Sequence, residues 1–273
     1  MSAHIIAVTN QKGGVAKTTT AINLSQALAL NEKRVLLVDL DPQGNATQGI
    51  GVQLDSIKHS VADLILNKEL SAQQVVYQGN GVDLLPATPV LARAEREMVG
   101  MTNSELRLGQ RLNQLRPQYD VIIIDTPPTL GPLMNSSLNA ADSLIVPVDS
   151  SFFAMMGIKE LLAEVEEIRQ GTNSRLRILG YLLTMADQTR ISAETWDGLV
   201  NGFGEEVFET KIRKSVKLKE APAYGRTVFH HAPVSAGAED YLALASEVIS
   251  RIDGEYLAVQ SVNEVEMAVG GAR

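Results

Sequence analysis

Two runs of unbroken apolar residues, each ending in an aspartate, constrain the fold of this chain most strongly. They are Arg34-Val-Leu-Leu-Val-Asp39 and Asp120-Val-Ile-Ile-Ile-Asp125. A strand with one face in water alternates apolar and polar residues, whereas a strand of a parallel sheet is buried on both faces and is apolar throughout. The two runs therefore predict a parallel sheet that is covered by helices on both sides.

Strands and helices alternate along the rest of the chain. The predicted strands are His4–Thr9, Arg34–Asp39, Val82–Pro86, Asp120–Asp125, Ser143–Val148 and Arg177–Leu183. The predicted helices are Thr18–Leu30, Asn103–Leu115, Met155–Gln170 and Ala236–Ile252. This alternation is typical of an α/β fold, and we predict a doubly wound, mostly parallel sheet with right-handed crossovers and helices on both faces.

The 273-residue chain is predicted to form one large domain and a short tail. No linker rich in Pro, Gly or Ser, no repeat and no low-complexity tract divides it, so residues 1–252 are assigned to a single domain. Residues 253–273 contain four acidic side chains and one basic side chain, that of Arg273, and we expect a flexible acidic tail there. Helices that bind anionic membranes need Lys and Arg on their polar face, so this tail argues against membrane attachment.

The composition excludes several classes of site. The chain contains no Cys, which excludes disulfides, thiolate nucleophiles, Cys-bound zinc and iron–sulfur clusters and fits the reducing cytoplasm. Lys and Arg number 24 against 32 Asp and Glu, which gives a formal net charge of −8. The protein is therefore not a generally basic nucleic-acid coat, and binding of nucleic acid would require a local cluster of positive charge.

The segment between the first strand and the first helix has the clearest functional pattern, Asn10-Gln-Lys-Gly-Gly-Val-Ala-Lys-Thr-Thr-Thr20. Gly13 and Gly14 free the backbone to wrap around an anion, so that successive N–H groups point at a phosphate. Lys17 would neutralise the β- and γ-phosphates, and the Thr18 hydroxyl would bind Mg²⁺. A loop of this kind between a strand and a helix predicts an ATP site.

This loop departs from the ordinary phosphate-loop pattern G-x-x-x-x-G-K-T, because Gln11 and Ala16 occupy its two glycine positions. It matches a variant, K-G-G-x-x-K-[ST], in which Lys12 is added at the start of the loop. We predict that the nucleotide is bound by the residues of this variant loop, which are Lys12, Gly13, Gly14, Val15, Ala16, Lys17, Thr18 and Thr19.

With this variant loop, the sequence resembles the ParA/Soj/MinD family of deviant Walker-A ATPases, and within it the small ParA/Soj partition ATPases. The resemblance continues through Val-Asp-Leu-Asp-Pro-Gln-Gly-Asn at 38–45, Ile-Asp-Thr-Pro-Pro at 124–128, Leu-Thr-Met at 183–185 and Glu-Ala-Pro at 220–222. It implies a P-loop NTPase fold and a Mg²⁺-dependent ATPase that is a homodimer when ATP is bound. It also implies nucleoid association through non-specific double-stranded DNA, and a ParB-like or other adaptor that stimulates hydrolysis while a DNA or protein cargo is segregated or positioned.

Three aspartates near the ends of predicted strands are candidate site residues. Asp125 lies at the carboxyl edge of the sheet, where ligands of open α/β folds collect, and is interpreted as the Walker B carboxylate that holds Mg²⁺ through water. By resemblance, Asp41 orients the attacking water, and Asp39 lies nearer the metal in a supporting role. Asp41 could instead form a turn in Asp-Pro-Gln-Gly, and Asp125 could be a structural strand end. The predicted metal ligands are Thr18, Asp39 and Asp125.

Lys12 has no evident target in the phosphate loop of its own subunit if Lys17 already neutralises the phosphates there. The resemblance implies that Lys12 reaches across a nucleotide-sandwich dimer to the phosphates of the other subunit, and physically it would act like an arginine finger supplied in trans. The alternative is a solvated surface lysine. The predicted catalytic residues are Lys12, Lys17 and Asp41.

One basic segment, residues 211–219, opposes the acidic composition. Its five positive charges are Lys211, Arg213, Lys214, Lys217 and Lys219. Because salt confines the influence of each charge to about 8–10 Å, such a cluster can bind a phosphate backbone even in an acidic protein. The segment predicts DNA binding without sequence preference, and an ordinary solvated face is the alternative.

The basic segment also departs from the family, whose usual Ile-Pro-Arg-Asn-Val is replaced here by Ile212-Arg213-Lys214-Ser215-Val216. In relatives this stretch lies close to the adenine, so the sequence leaves open how adenine is recognised. A MinD-like, membrane-associated positioning ATPase shares the nucleotide motifs and is the alternative function. It needs a basic amphipathic C-terminus, whereas residues 253–273 are acidic.

Overall fold

The computed structural model describes residues 2–79, 81–151 and 154–270, apart from the side chains of 154–156 and 255–270. The strands are β1 (His4–Val8), β2 (Val35–Asp39), β3 (Val82–Leu85), β4 (Val121–Asp125), β5 (Ser143–Asp149) and β6 (Arg177–Thr184). They form one sheet in the order β3-β2-β4-β1-β5-β6, in which every neighbouring pair is parallel. Each strand begins and ends within one residue of its predicted bounds, so the predicted parallel sheet is confirmed.

The helices fill the stretches between the strands. They are α1 (Lys17–Leu30), α2 (Asn45–Gly49), α3 (Val61–Leu66), α4 (Val90–Met98), α5 (Ser104–Leu112), α6 (Pro132–Ala140), α7 (Ala154–Gly171), α8 (Arg190–Phe203), α9 (Val216–Glu220), α10 (Val228–His231) and α11 (Ala236–Gly270). The sequence predicted α1, α5, α7 and α11. It missed helices such as α2 and α9, which are too short for an apolar period to be recognised. Within the described part of the chain, no helix is both long and apolar enough to cross a membrane.

The final helix is longer than the sequence predicted. Its backbone remains helical through Gly270, so the predicted helix end at Ile252 is wrong. The stretch after Gly254 contains no proline and many good helix formers, and therefore nothing in it forces the helix to end. Side chains beyond Gly254 lie outside the described residues, and the domain boundary at residue 252 stays a prediction.

Alternate residues of each central strand face two separate helical layers. Ile122 of β4 packs into a core with residues of α5, α6 and α7, whereas Ile123 packs into a core with residues of α1 and α11. All residues of β2 and β4 are buried, which explains their unbroken apolar sequences and confirms helices on both faces. Truncating one of these side chains to alanine would cost about 2–5 kcal/mol, so substitutions that test function must avoid this layer.

The register of the sheet brings three functional segments together. Val8 at the end of β1 lies opposite Asp125, and Asp125 lies opposite Asp39 at the end of β2. Because the strands are parallel, their carboxyl ends share one edge, where open α/β sheets bind ligands. The phosphate loop and the two aspartates therefore meet at this edge.

Candidate functional site

The loop between β1 and α1 contains two residues with left-handed backbone conformations. The φ angle is 78° at Gly14 and 65° at Ala16. A Cβ atom built on Gly13 or Gly14 would meet no atom within 4 Å, so open space lies beside both glycines. Ala16 adopts a conformation that glycine adopts without strain, at a cost of about 1–2 kcal/mol. The variant loop thus retains a left-handed residue before α1 although its sequence has lost the glycine there.

The side chain of Lys17, the first residue of α1, points back along the loop. It is only 7% exposed, and its Nζ donates to the carbonyl oxygen of Lys12 at 3.0 Å. Burial lowers the pKa of Lys17, and the nearby carboxylates of Asp125 and Asp41 oppose that shift. An ammonium group has three donors, so the remaining ones can bind phosphate oxygens.

Asp125 is a fully buried carboxylate at the end of β4. Neither of its oxygens has a hydrogen-bond partner among the described residues. Burial, together with the charge of Asp39, raises the pKa of Asp125 well above its ordinary value. A buried carboxylate without partners is costly unless a cation or its water neutralises it. Its surroundings therefore fit Mg²⁺, which is usually bound by one or two carboxylates together with waters and phosphates.

Asp39 has a different environment, because both of its oxygens accept hydrogen bonds. Its Oδ1 accepts from the backbone N–H of Asp41 at 3.1 Å, and its Oδ2 accepts from the backbone N–H and hydroxyl of Thr47 at 2.8 and 2.7 Å. Burial raises the pKa of Asp39 to about 6, against the opposing hydrogen bonds from Thr47. This geometry favours the supporting role, in which Asp39 holds the segment that contains Asp41.

Thr47, in α2, is a residue that the sequence analysis missed. Besides donating to Asp39, its Oγ1 accepts from the backbone N–H of Ala87 at 3.0 Å. It therefore joins the end of β2 to the segment after β3. A threonine in a five-residue helix belongs to no motif that would distinguish it, so only the folded arrangement identifies it.

Asp41 lies between the two interpretations that the sequence left open. Its Oδ1 accepts from the backbone N–H of Gln43 at 2.9 Å, which is the geometry of an Asx turn. It also lines the same cavity as Lys17 and Thr18. A role in the turn and a role beside the nucleotide are thus compatible, and the orientation of water by Asp41 stays a prediction.

Lys12 has partners within its own subunit. Its Nζ lies 2.7 and 2.8 Å from the two carboxylate oxygens of Asp149 at the end of β5, and 2.6 Å from the Ser151 hydroxyl. The side chain is about one-third exposed, at 32%. The sequence analysis considered only the phosphate loop as a target for Lys12 within its subunit, and it missed this ion pair because Asp149 is distant in the chain.

A cavity of about 450 Å³ opens in front of the phosphate loop, which lies within the range of about 300–1,000 Å³ typical of ligand sites. The loop, Asp41 and the segment after β4 form one part of its wall, and the part contributed by later residues comprises Met185, Ile212, Arg213, Lys214, Ser215, Leu218, Lys219 and Tyr241. Part of the basic segment is therefore adjacent to the candidate ATP site.

Three of the five cations in the basic segment have partners in their own subunit. The Lys211 ammonium lies 3.5 Å above the centre of the Trp196 ring. Arg213 forms salt bridges with Glu239 at 3.0 Å and with Asp240 at 2.7 Å. Lys217 pairs with Glu220 at 2.9 Å.

The other two cations, Lys214 and Lys219, are exposed. They form no salt bridge within the ranges that the structure describes. The segment thus presents less uncompensated positive charge than its sequence suggests.

Comparison with known proteins agrees with this geometry. Residues 3–178 match the family described as AAA domain. The chain is 46% identical over 249 residues to the chromosome-partitioning ATPase Soj of Thermus thermophilus, and the match covers 90% of this chain and 96% of that protein. This chain belongs to the ParA/Soj family of partition ATPases.

Two further comparisons support this assignment. The chain is 40% identical to the chromosome partitioning protein ParA of Myxococcus xanthus, over 91% of this chain and 88% of that protein. A crystal structure of cobyrinic acid a,c-diamide synthase from Mycobacterium smegmatis with bound ATP analog and magnesium has a TM-score of 0.78 and 34% identity, covering 89% of this chain and 93% of that chain. The fold is thus one that binds nucleotide and magnesium, and the protein is a ParA-type ATPase.

Proposed function

We propose that this ParA-type ATPase is a nucleotide-dependent switch. ATP and Mg²⁺ join two copies into a dimer, the dimer binds double-stranded DNA without sequence preference, and a ParB-like or other adaptor stimulates hydrolysis and so releases the DNA. The observation that supports it most directly is the shared cavity, because its wall contains both the phosphate loop and Lys214 and Lys219. The switch would segregate or position a DNA or protein cargo on the nucleoid, as the names of its relatives suggest.

In this proposal, the phosphate loop binds the triphosphate. The backbone of Gly13 and Gly14 faces open space, and Lys17 supplies a buried countercharge with donors to spare. Thr18 and Asp125 would hold Mg²⁺, with Asp39 in support. When bound, the ion neutralises charge on the phosphates. Asp41 would orient the attacking water, because phosphoryl transfer depends mainly on positioning and charge stabilisation.

Lys12 would contribute to the phosphate site of the other subunit. Its ion pair with Asp149 has to open for this contact, because one ammonium cannot remain 2.7 Å from that carboxylate and reach across an interface. The ion pair is one-third exposed, and pairs that solvent reaches are worth only about 0–1 kcal/mol. A phosphate on the partner could therefore replace Asp149 at small cost.

Substituting Lys12→Ala is expected to reduce the fraction of dimer formed with ATP and Mg²⁺ by about tenfold, which corresponds to the loss of one charge-assisted contact. Light scattering coupled to gel filtration measures this fraction. Lys159→Ala, on the exposed surface of α7, removes the same charge and serves as a control. Dimerisation of Lys12→Ala like that of the wild type would refute the trans contact.

DNA binding would depend on Lys214 and Lys219, since the other three cations have internal partners. Each phosphate contact contributes about −0.9 to the slope of log K against log salt. Lys214→Gln with Lys219→Gln should therefore reduce the slope by about 1.8 per protomer, or about 3.6 in a dimer. Because phosphate contacts contain no sequence information, random and cognate duplexes should bind alike.

Fluorescence anisotropy of a random duplex, titrated with protein over a series of salt concentrations, tests this expectation. ATP should strengthen binding and ADP should not, because two protomers present a joint surface only in the dimer. The control is Lys58→Gln with Lys68→Gln, which changes the same charge at exposed positions outside the cavity wall. An unchanged slope in the Lys214 and Lys219 variant would mean that the basic segment is a solvated face.

A further inference from the structure

The cavity in front of the phosphate loop has an apolar end. Met185, Ile212 and Leu218 line it, opposite the polar loop residues. If the proposed function is correct and the phosphates lie at the loop, the base of the nucleotide would pack against these side chains, because a flat aromatic ring is best accommodated by apolar surface. The position of this apolar wall relative to the loop then determines how well the base is held.

Backbone hydrogen bonds fix one edge of the apolar wall. The N–H of Ala186, just beyond β6, donates to the carbonyl oxygen of Ile212, and the N–H of Lys214 donates to the carbonyl oxygen of Ala186, both at 2.9 Å. This short parallel bridge leaves the N–H of Arg213 outside the pairing with Ala186. The wall is thus an extension of the sheet edge, and its second edge needs another support.

Asp240 supports that second edge. Its Oδ2 accepts from the backbone N–H of Arg213 at 2.8 Å, and its Oδ1 accepts from the Arg213 Nε at 2.9 Å. Asp240 is only 8% exposed, whereas the Arg213 side chain is half-exposed. Glu239, which also contacts Arg213, is exposed and touches only the guanidinium. Asp240 alone therefore holds both the backbone and the side chain of Arg213.

The first turns of α11 also connect this contact to the phosphate side of the cavity. Tyr241, the residue after Asp240, is fully buried and lines the cavity. Its hydroxyl lies 3.1 Å from the Thr20 hydroxyl on α1, three residues after Lys17. One short stretch of α11 therefore contacts both the apolar wall and the helix that begins at the phosphate loop.

We propose that Asp240 is a positioning residue for ATP. By holding Arg213, it fixes the apolar wall relative to the phosphate loop and so sets the affinity for the base half of the nucleotide. Arg213 then belongs to the nucleotide cavity, and its ion pairs with two carboxylates make it unavailable to DNA. The replacement of the family's proline by arginine at this position is accommodated, since Asp240 binds the N–H group that a proline would lack.

The test compares ATP with inorganic triphosphate, which has no base. For Asp240→Ala we expect the KM for ATP to rise about tenfold, as for the loss of hydrogen bonds to a charged group. We expect kcat and the inhibition constant of triphosphate to remain within about twofold, because the phosphate loop is intact. Steady-state ATPase kinetics, with triphosphate as the competitor, measure all three quantities.

Two further variants separate positioning from general stability. Glu239→Ala removes only the exposed contact to Arg213 and should leave the KM for ATP within about twofold of the wild type. Asp240→Asn retains an acceptor for the Arg213 N–H but loses the charge, so its KM should be intermediate, about threefold raised. If Asp240→Ala does not fold, as judged by circular dichroism, Asp240→Asn decides the question.

The inference is overturned if the KM for ATP does not change in the Asp240 variants, or if the KM and the triphosphate constant rise together, since a loosened fold would affect both. A separate variant tells this failure from failure of the ATP site itself. If Lys17→Ala abolishes ATP binding while the Asp240 variants bind normally, only the role of Asp240 is refuted. If Lys17→Ala still binds ATP, the assignment of the cavity is refuted.

Discussion

The phosphate loop and the basic segment are both rich in cations, yet they present them differently. In the loop, Lys17 is buried at the start of α1, next to glycines that leave open space for an anion. In the basic segment, Arg213 and Lys217 are paired with carboxylates of the same subunit, and Lys211 lies on Trp196. Positive charge is thus oriented toward a ligand in the first region and largely compensated in the second.

This difference follows from how each side chain is positioned. The loop residues are fixed by local backbone geometry, namely a strand end, left-handed residues at 14 and 16, and a helix start. The cations of the basic segment lie on and around the short helix α9, and long exposed side chains there pair with whichever acidic groups the fold brings near. A motif that specifies its own backbone is therefore a better guide to function than a run of charge alone.

The largest expected effect is that of Lys17→Ala, which sharpens the comparison most. We expect ATP affinity to fall on the order of a hundredfold or more, because the triphosphate loses its buried countercharge. Lys214→Ala, an exposed cation lining the same cavity, should change ATP affinity by no more than about threefold. Isothermal titration calorimetry measures both, and similar losses in the two variants would remove the distinction between the regions.

A second prediction concerns Asp41, whose substitution should slow hydrolysis without preventing binding. Asp41→Ala is expected to lower single-turnover hydrolysis about tenfold or more, because the attacking water is no longer oriented, and to accumulate as an ATP-bound dimer. Asp41→Asn retains an acceptor for the Gln43 N–H, so it keeps the turn but loses the carboxylate. Hydrolysis by Asp41→Asn at the wild-type rate in the presence of the adaptor would show that Asp41 only forms the turn.

The smallest expected effect is on stability, at Asp125. Because burial raises the pKa of Asp125, the folded state retains a proton that the unfolded state releases, and stability falls as pH rises from the ordinary carboxylate range through the raised pKa. Asp125→Asn does not titrate there, so it should stabilise the nucleotide-free protein by about 1–2 kcal/mol at pH 8 and by less at pH 5.

Urea unfolding at the two pH values measures this difference. Lys214→Gln is the exposed control and should change the free energy of unfolding by less than about 0.5 kcal/mol. A destabilised Asp125→Asn at pH 8 would contradict a buried carboxylate without partners. The same variant should lose Mg²⁺-dependent hydrolysis, which would separate the functional value of this carboxylate from its cost in stability.

The sequence by itself determined the sheet and the phosphate loop. Unbroken apolar runs can be buried only on both faces, so β2 and β4 were predicted to within one residue, and the loop is specified by adjacent residues. Helices such as α2 and α9 were missed because contacts with the rest of the fold, rather than a periodic pattern, stabilise them.

Only the tertiary structure decided which side chains meet. Lys12 and Asp149 are 137 residues apart in the chain, and Arg213 and Asp240 are 27 apart. No local pattern specifies such pairs, because the crossovers of the sheet and the packing of α11 bring them together. The sequence therefore identified the phosphate site, whereas the partners of its lysine at position 12 and the compensation of charge in the basic segment required the fold. The physical reason is that backbone geometry is set by neighbouring residues, whereas the pairing of a long charged side chain is set by whatever lies within its reach in space.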